Sequence, residues 1–189
     1  CRDEDDMVSL ASPAGELGSS APPFDLPGTD GRRHTLASVR GANGTVVMFI
    51  CNHCPYVKAV IAKIVRDMTE LRPHGIGSIA IMSNDPVTQA EDSFDNMKAF
   101  AVQHGFSFPY VLDETQAVAR AYGAVCTPDF FGFDGDLRLA YRGRLDASGR
   151  SVDPAAAREL FDAMLSVART GGAPGVQQPS IGCSIKWQQ

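Results

Sequence analysis

The segment from residue 45 to residue 71 constrains the fold more than any other part of the chain. It opens with TVVMFI at residues 45–50, a continuous β-branched and apolar run that is typical of a central strand buried on both faces. The residues CNHCP follow, and apolar side chains then recur at helical spacing from Val57 to Leu71. Proline and glycine in the next residues, RPHG, end this pattern. The segment predicts a strand, a loop with two cysteines, and an amphipathic helix.

The remaining elements predict an α/β domain built on a mixed sheet. A right-handed strand–helix–strand unit comes first, and a strand pair and a final helix complete the sheet with helices on both faces. Functional sites in such sheets lie beyond the carboxyl ends of the strands, which is where the two cysteines fall. The further strands are expected at residues 78–83, 110–113, 129–134 and 137–145, and the further helices at residues 94–104, 115–122 and 154–170.

The two ends of the chain differ from its middle. With 189 residues and 44% hydrophobic content, the chain fits one globular domain, predicted over residues 24–170. Residues 1–23 are acidic and then rich in Ala, Ser, Pro and Gly, which predicts a flexible N-terminal arm. The Asp30-Gly31 turn predicts a hairpin-like N-terminal β extension of the domain. Residues 171–189 predict an irregular C-terminal strap that carries Cys183.

Charge and hydropathy exclude two classes of partner. The formal net charge of −5 gives no basic surface for a nucleic acid, and the longest apolar run is far shorter than the roughly 20 residues of a membrane-spanning helix. The first residues, CRDEDDMVSL, contain no apolar signal core, so Met7 is interpreted as the natural start and the cytoplasm as the compartment. The alternative is a periplasmic lipoprotein anchored through Cys1. The sequence leaves the oligomeric state open.

The position of Cys51 and Cys54 predicts redox chemistry. A helix N-terminus presents unpaired N–H groups and a partial positive charge, which stabilise a thiolate there. Such settings lower the pKa of a cysteine from about 8.5 to values between about 3.5 and 7.5. Pro55 supports a helix start, and a protonated His53 favours the thiolate further. Cys51 and Cys54 are therefore the predicted catalytic residues.

Two other interpretations of the cysteines stay open. A buried cysteine is often only a small apolar side chain, and Cys51 completes an apolar run. The two thiolates can also bind a metal together with His53 or a remote cysteine, although zinc takes four such ligands and no second close pair exists in the sequence. We expect no resident metal or cofactor.

Several motifs resemble those of a known family. The order of elements, the CxxC at the first strand–helix junction and the residues TPD before the late strand pair resemble the thioredoxin fold. The stretches FICNHCPYVKAV, CTPDFFGFD and PSIGCSIKW are similar to those of thioredoxin-like, peroxiredoxin-like bacterial proteins of the AhpC/TSA type, and the similarity extends from Phe24 to Trp187. The resemblance implies a three-layer α/β/α thioredoxin fold with a central mixed sheet.

The resemblance also implies roles for individual residues. Cys51 is the exposed nucleophile of a thiol-disulfide oxidoreductase, and Cys54 resolves the mixed disulfide. Thr127 and Pro128 form the cis-proline loop that shapes the substrate groove, which places Cys126 near the cysteine pair. The partners are a protein or small-molecule disulfide or thiol substrate and a thiol reductant.

The sequence departs from the motifs of both thioredoxins and peroxiredoxins, so a peroxidase function and the role of Cys183 stay open. A peroxiredoxin-like thiol peroxidase would use Cys54, which precedes a proline, but the threonine expected three residues upstream is Cys51. Cys126 and Cys183 are the two candidates for a resolving or relay thiol. Cys183 is either a bystander or such a thiol, paired with Cys126 or with the CxxC. Loop length does not decide between these partners, because the entropy cost of closing a loop grows only logarithmically.

Overall fold

The computed structural model describes residues 8–189, so the predictions that rest on Cys1 and Met7 lie outside the described residues. Within this range the chain forms ten strands and five α-helices. The strands are β1 (Ser9–Ala11), β2 (Asp25–Pro27), β3 (Arg33–Thr35), β4 (Gly44–Phe49), β5 (Ile76–Met82), β6 (Tyr110–Leu112), β7 (Cys126–Thr127), β8 (Asp129–Asp134), β9 (Leu139–Gly143) and β10 (Ile181–Ser184). The helices are α1 (Leu36–Val39), α2 (Pro55–Leu71), α3 (Phe94–Gln103), α4 (Ala117–Tyr122) and α5 (Glu159–Thr170).

A five-stranded mixed sheet forms the centre of the molecule, in the order β6-β5-β4-β8-β9. The β4–β5 and β5–β6 pairs are parallel, whereas β8 pairs antiparallel with both β4 and β9. The predicted strand–helix–strand start and the later strand pair are thus confirmed. The predicted N-terminal extension is the β2–β3 hairpin.

The central strand β4 contributes to two cores. Val46 and Met48 pack on the side of α2, α3 and α5, and Val47 and Phe49 pack on the side of α1 and α4. All four side chains are fully buried, and complete burial of an aliphatic or aromatic side chain stabilises a fold by roughly 1.5–3 kcal/mol. This two-sided burial confirms the three-layer α/β/α architecture and fixes the point at which the cysteine loop leaves the sheet.

Helix α2 follows the periodicity of its sequence. Its buried side chains include every apolar position from Val57 to Leu71 that predicted the helix. A short 3-10 turn over Arg72–His74 follows, and Gly75 ends it with φ 78°, a left-handed conformation that glycine adopts without a Cβ clash. The helix therefore has a fixed length and a fixed start at Pro55.

Two predicted helices begin later than the sequence indicated. Helix α5 begins at Glu159 and not at residue 154, because the Asp153 side chain accepts the backbone N–H of Ala155 and holds these residues in a turn. Helix α4 begins at Ala117 and not at residue 115, because Gln116 has a left-handed backbone with φ 62°. Neither change moves the cysteine loop.

The ends of the chain contain more regular structure than predicted. The prediction of an irregular strap is wrong for Ile181–Ser184, which form β10 between β1 and β7 in an antiparallel three-stranded sheet. β1 itself lies in the predicted flexible arm. The division of the chain at residues 23 and 170 stays a prediction. None of the helices in the described range is both long and apolar enough to span a bilayer.

Candidate active site

The two cysteines of the CNHC sequence lie where β4 passes into α2. Cys54 is the N-cap of α2, with φ −64° and ψ 122°, and Pro55 is the first helical residue. The Cys54 side chain makes no cap hydrogen bond, but as the N-cap it lies beside the unpaired N–H groups of the first turn, and the backbone of Val57 contributes to lowering the pKa of Cys54. The partial positive charge of the helix N-terminus stabilises an anion at this position. Cys54, rather than Cys51, therefore has the position that favours a thiolate.

The end of β7, just before the cis-proline, faces both cysteines. The Sγ atom of Cys51 lies 3.3 Å from Thr127 Oγ1, and the Sγ atom of Cys54 lies 3.2 Å from the carbonyl oxygen of Thr127. The Thr127–Pro128 peptide bond is cis, the isomer that the resemblance implies. Thr127 thus contacts the cysteine pair through its side chain and through its backbone.

The structure brings a third cysteine, Cys183, into contact with the pair. Strand β10 pairs antiparallel with β7 so that Cys183 lies opposite Thr127. The Cys183 and Cys54 sulfur atoms are 2.8 Å apart and are not bonded to each other. Cys126 precedes Thr127 in the same strand, so its side chain points to the opposite face. Of the two candidate relay cysteines, Cys183 is therefore the one that reaches Cys54.

The negative charge of the cysteine group is concentrated on Cys54. Burial opposes its ionisation, but hydrogen bonds from Cys183, Cys51 and Thr127 outweigh burial and lower the pKa of Cys54 far below its ordinary value. Burial, contact with Cys54 and the charge of Asp92 raise the pKa of Cys51. The hydrogen bond to Cys54 and then burial raise the pKa of Cys183. The surroundings thus favour a thiolate at Cys54 over one at Cys51 or Cys183.

All of these sulfur atoms are shielded from solvent. Cys51 and Cys54 are 0% exposed and Cys183 is 1% exposed. The exposed nucleophile that the resemblance implies at position 51 does not match this burial. A cavity of about 280 Å³ lies beside the group, and Tyr56, Pro128 and Ile181 are among its lining residues. A substrate disulfide therefore needs a local displacement of the covering residues before it can touch Cys54.

His53 forms an ion pair within the cysteine loop. Its Nδ1 atom lies 2.6 Å from an Asp92 oxygen, and the fully buried Asp92 carboxylate also accepts the Asn52 N–H and an Asn84 amide N–H. Burial lowers the pKa of His53, but the bond to Asp92 and its charge outweigh burial, so the pKa is raised. The raised pKa favours the protonated form of His53, and its role beside the Cys54 thiolate stays a prediction.

The same residues offer one group of potential metal ligands. The Cys51 sulfur, one ring nitrogen of His53 and one Asp92 oxygen lie within 4.8 Å of one another. Structural zinc takes four protein ligands, and the Asp92 carboxylate is already occupied by N–H donors. Metal binding stays an alternative, in which Asp92, and not a remote cysteine, is the third ligand beside Cys51 and His53.

Asp92 is the site residue that the sequence prediction missed. It is 39 residues from His53, and no local pattern connects the two. A usable signal was present, because Asp92 lies in the polar loop that follows β5. The carboxyl ends of parallel neighbours β4 and β5 meet at the same edge of the sheet, so acidic residues of this loop are candidates for the cysteine site.

The fold and the site together define a thioredoxin-fold redox protein. A thioredoxin family protein from Chlorobium tepidum TLS has the same fold, with 20% identity and a TM-score of 0.61, over 82% of this chain and 99% of that one. Within this class, the chain belongs to the AhpC/TSA family, whose model matches residues 17–142.

Two further proteins are similar to this chain at higher identity. A solved structure of an uncharacterized conserved protein from Geobacillus kaustophilus is 45% identical, with a TM-score of 0.92 over 96% of this chain and 97% of that one. The thiol-disulfide oxidoreductase ResA of Geobacillus thermodenitrificans is 30% identical over 122 residues, which are 62% of this chain. The match spans 63% of the length of that relative.

Proposed function

We propose that the protein is a thiol-disulfide oxidoreductase in which Cys54 and Cys51 exchange electrons with a disulfide or dithiol partner. The observation that carries this proposal is the position of Cys54 as the N-cap of α2 in contact with Thr127 and Cys183, an environment that lowers the pKa of Cys54. The thiolate is the nucleophilic form of cysteine, and exchange proceeds through a mixed disulfide. The name of the relative from Geobacillus thermodenitrificans supports the same chemistry.

The charge distribution favours Cys54 for the first attack, although the resemblance assigns it to Cys51. The Cys54 thiolate attacks one sulfur of the substrate disulfide, which releases the other sulfur as a thiolate. That thiolate takes the proton of Cys51, and the Cys51 sulfur attacks Cys54 and displaces the remaining substrate sulfur. The first substrate sulfur leaves as a thiol and the second as a thiolate, which takes a proton from solvent, and Cys51 and Cys54 are oxidised to a disulfide.

Surrounding residues support each step of this reaction. The Thr127 hydroxyl contacts Cys51, and Asp92 raises the pKa of His53, which favours a positive charge beside the sulfur atoms. Substrate would approach from the side of the cavity of about 280 Å³ that Pro128 lines, next to the cis-proline. The partners are accordingly a protein or low-molecular-weight disulfide and a thiol reductant. The cytoplasm, with the periplasm as alternative, stays a prediction.

A redox titration in glutathione buffers tests the proposal. In a Cys183→Ser variant, which removes the third contacting thiol, Cys51 and Cys54 should convert together to one disulfide at a single midpoint, read by mass mapping after thiol alkylation. Serine at both positions 51 and 54 should remove catalysis of exchange between a protein disulfide and a thiol reductant. A titration in which the two cysteines never pair, or catalysis that survives the double substitution, would rule the proposal out.

Peroxide reduction is a second candidate function, favoured by membership of the AhpC/TSA family and by the Cys54-Pro55 helix start. A peroxide would oxidise the Cys54 thiolate to a sulfenic acid and leave as an alcohol or water. Attack by Cys51 or Cys183 would then form a disulfide and release water. We expect peroxide consumption with a thiol reductant in excess to be much slower than disulfide exchange, because Cys51 replaces the threonine of peroxiredoxins. Faster turnover of peroxide than of disulfides would reverse the order of the two candidates.

A further inference from the structure

The described C-terminal residues are held over the cysteine site by contacts on both sides of Cys183. Before it, Ser180 accepts the backbone N–H of Ser12 and donates its hydroxyl to Gly143. After it, the backbone of Lys186 bonds to the Asn84 side chain and to the N–H of Asp85. The strap therefore follows one defined path, in which its cysteine lies above the start of α2.

Gln116, the residue before α4, also holds the C-terminal strap in place. Its amide group donates to the carbonyl oxygens of Ser83 and Lys186, and its oxygen accepts the backbone N–H of Gln188. Gln116 is 1% exposed, and its backbone has a left-handed conformation. These contacts limit where the strap can lie and bring Cys183 to one position.

Strand β10 occupies the backbone edge of the cis-proline loop. Cys183 and Ser184 pair with Thr127 and Cys126, so β10 lies where an extended substrate segment would add a strand. The close approach depends on Gly182, where a Cβ atom would lie 2.0 Å from the Thr127 carbonyl oxygen. A residue without a side chain at position 182 thus allows the next side chain, Cys183, to contact Cys54.

The contact between Cys183 and Cys54 is suited to reaction as well as to packing. The two sulfurs lie 2.8 Å apart with almost no solvent exposure, and the bond between them raises the pKa of Cys183 and lowers that of Cys54, which favours the proton on Cys183. Cys54 therefore has a second thiol, besides Cys51, that can attack it once it is in a disulfide. No partner molecule needs to enter for this step.

We propose that Cys183 is a third catalytic cysteine and that β10 acts as an internal substrate strand, so that the oxidised protein carries a Cys54–Cys183 disulfide in exchange with Cys51–Cys54. This inference rests on the proposed thiol–disulfide exchange. The Cys183 sulfur attacks Cys54 in the Cys51–Cys54 disulfide, the bond to Cys51 breaks, and the proton of Cys183 passes to Cys51. The step moves the disulfide without net oxidation, so that it needs no additional oxidant. Cys54–Cys183 then ties the strap to the start of α2.

Oxidised glutathione and mass mapping test this inference in the full-length protein. In a Cys51→Ser variant, Cys54 should first bind glutathione, and Cys183 should then displace it to give an internal Cys54–Cys183 disulfide and two reduced glutathiones for each oxidised one. In the wild type both disulfides should be found, and in Cys183→Ser only Cys51–Cys54. A Cys51→Ser protein that keeps glutathione on Cys54 while Cys183 stays a free thiol would refute the inference and leave the proposed function intact. If Cys54 reacts in no variant, the proposed function fails as well.

Two glycine substitutions test whether the position of the Cys183 thiol, and not only its presence, determines the rate. Gly182→Ala, combined with Cys51→Ser, should slow formation of the Cys54–Cys183 disulfide by about ten- to a hundredfold, because a displacement of about 1 Å costs an oriented reaction that much. Gly172→Ala in the same strap is the matched control, since no atom lies within 4 Å of its added Cβ, and it should leave the rate unchanged. Equal rates in the two glycine variants would contradict the internal-substrate geometry, and the Cys51→Ser result decides the proposal if Gly182→Ala does not fold.

Discussion

Serine at position 54 is expected to reduce the rate of thiol–disulfide exchange by about a thousandfold or more, the scale of loss seen when a catalytic nucleophile is removed. A serine hydroxyl cannot ionise near neutral pH, so the helix start and the two thiols that donate to position 54 would have no thiolate to stabilise. The measurement is steady-state reduction of a protein disulfide with a thiol reductant in excess. Cys126→Ser is the matched control, because Cys126 is equally buried but lies on the opposite face of β7, and it should retain its rate.

Cys51→Ser provides the comparison that assigns the first attack. If Cys54 is the attacking thiolate, Cys51→Ser retains the first step and reacts with a disulfide in a single turnover at a rate near that of the wild type. Cys54→Ser should show no such reaction. The opposite pattern, in which Cys51→Ser loses the first step and Cys54→Ser accumulates a mixed disulfide on Cys51, would assign the attack to Cys51, as the family resemblance implies.

The fold was predictable because its signals are local. The β-branched run of β4 and the apolar spacing of α2 each lie within one continuous segment, and burial on both sides of the sheet selects those patterns. The helix-start position of Cys54 follows from the proline that comes after it. These features needed no knowledge of distant residues.

The parts that sequence reasoning missed depend on contacts between distant residues. β1 and β10 are three and four residues long, and neither has a pattern that identifies a strand until each finds its partner. The contact of Cys183 with Cys54 spans 129 residues, which is why the sequence left the partner of Cys183 open. Strand pairing through Gly182 decides it, and the small size of that residue becomes informative only when the Thr127 carbonyl is placed beside it.

The sequence also could not show which cysteine has the lowered pKa, because this depends on distant residues. The CxxC spacing and helix start favour a thiolate in the pair but do not say which sulfur has it. In the structure the hydrogen-bonding partners of Cys54 lower its pKa, while burial, contact with Cys54 and the charge of Asp92 raise the pKa of Cys51. The division of roles therefore depends on Thr127, Asp92 and Cys183, all of them more than 35 residues away from the cysteine loop.

Loss of the buried Asp129 carboxylate is expected to be the most destabilising single change in the structural support of this site. Asp129 follows the cis-proline and is fully buried, with one oxygen 3.0 Å from an Arg142 nitrogen whose side chain is 6% exposed. Asp129→Ala leaves the guanidinium buried without a counter-charge, and breaking such a pair costs about 3–5 kcal/mol of the free energy of unfolding. The measurement is urea denaturation followed by circular dichroism.

An exposed pair of the same type is the control for that experiment. Asp25 bonds to Arg33 at 2.9 Å, but their side chains are 59% and 61% exposed, so Asp25→Ala should cost no more than about 1 kcal/mol. A loss in Asp129→Ala no larger than that in Asp25→Ala would show that solvent reaches Arg142. A double variant, Asp129→Ala with Arg142→Met, should recover much of the loss, because an apolar pair needs no desolvation of charge.

The environment of Asp129 can also be tested through the pH dependence of the free energy of unfolding. Burial raises the pKa of Asp129 to about 6, although Arg142 opposes the shift, whereas an unfolded aspartate titrates near about 3.9. Between these values the folded state binds more protons than the unfolded state, so this residue makes the free energy of unfolding fall as pH rises from about 4 to about 6. Asp129→Asn cannot titrate, and its stability should lack this decline relative to the wild type. Parallel pH profiles of the two proteins would mean that Asp129 stays ionised throughout and that the guanidinium, not burial, controls the titration of this carboxyl.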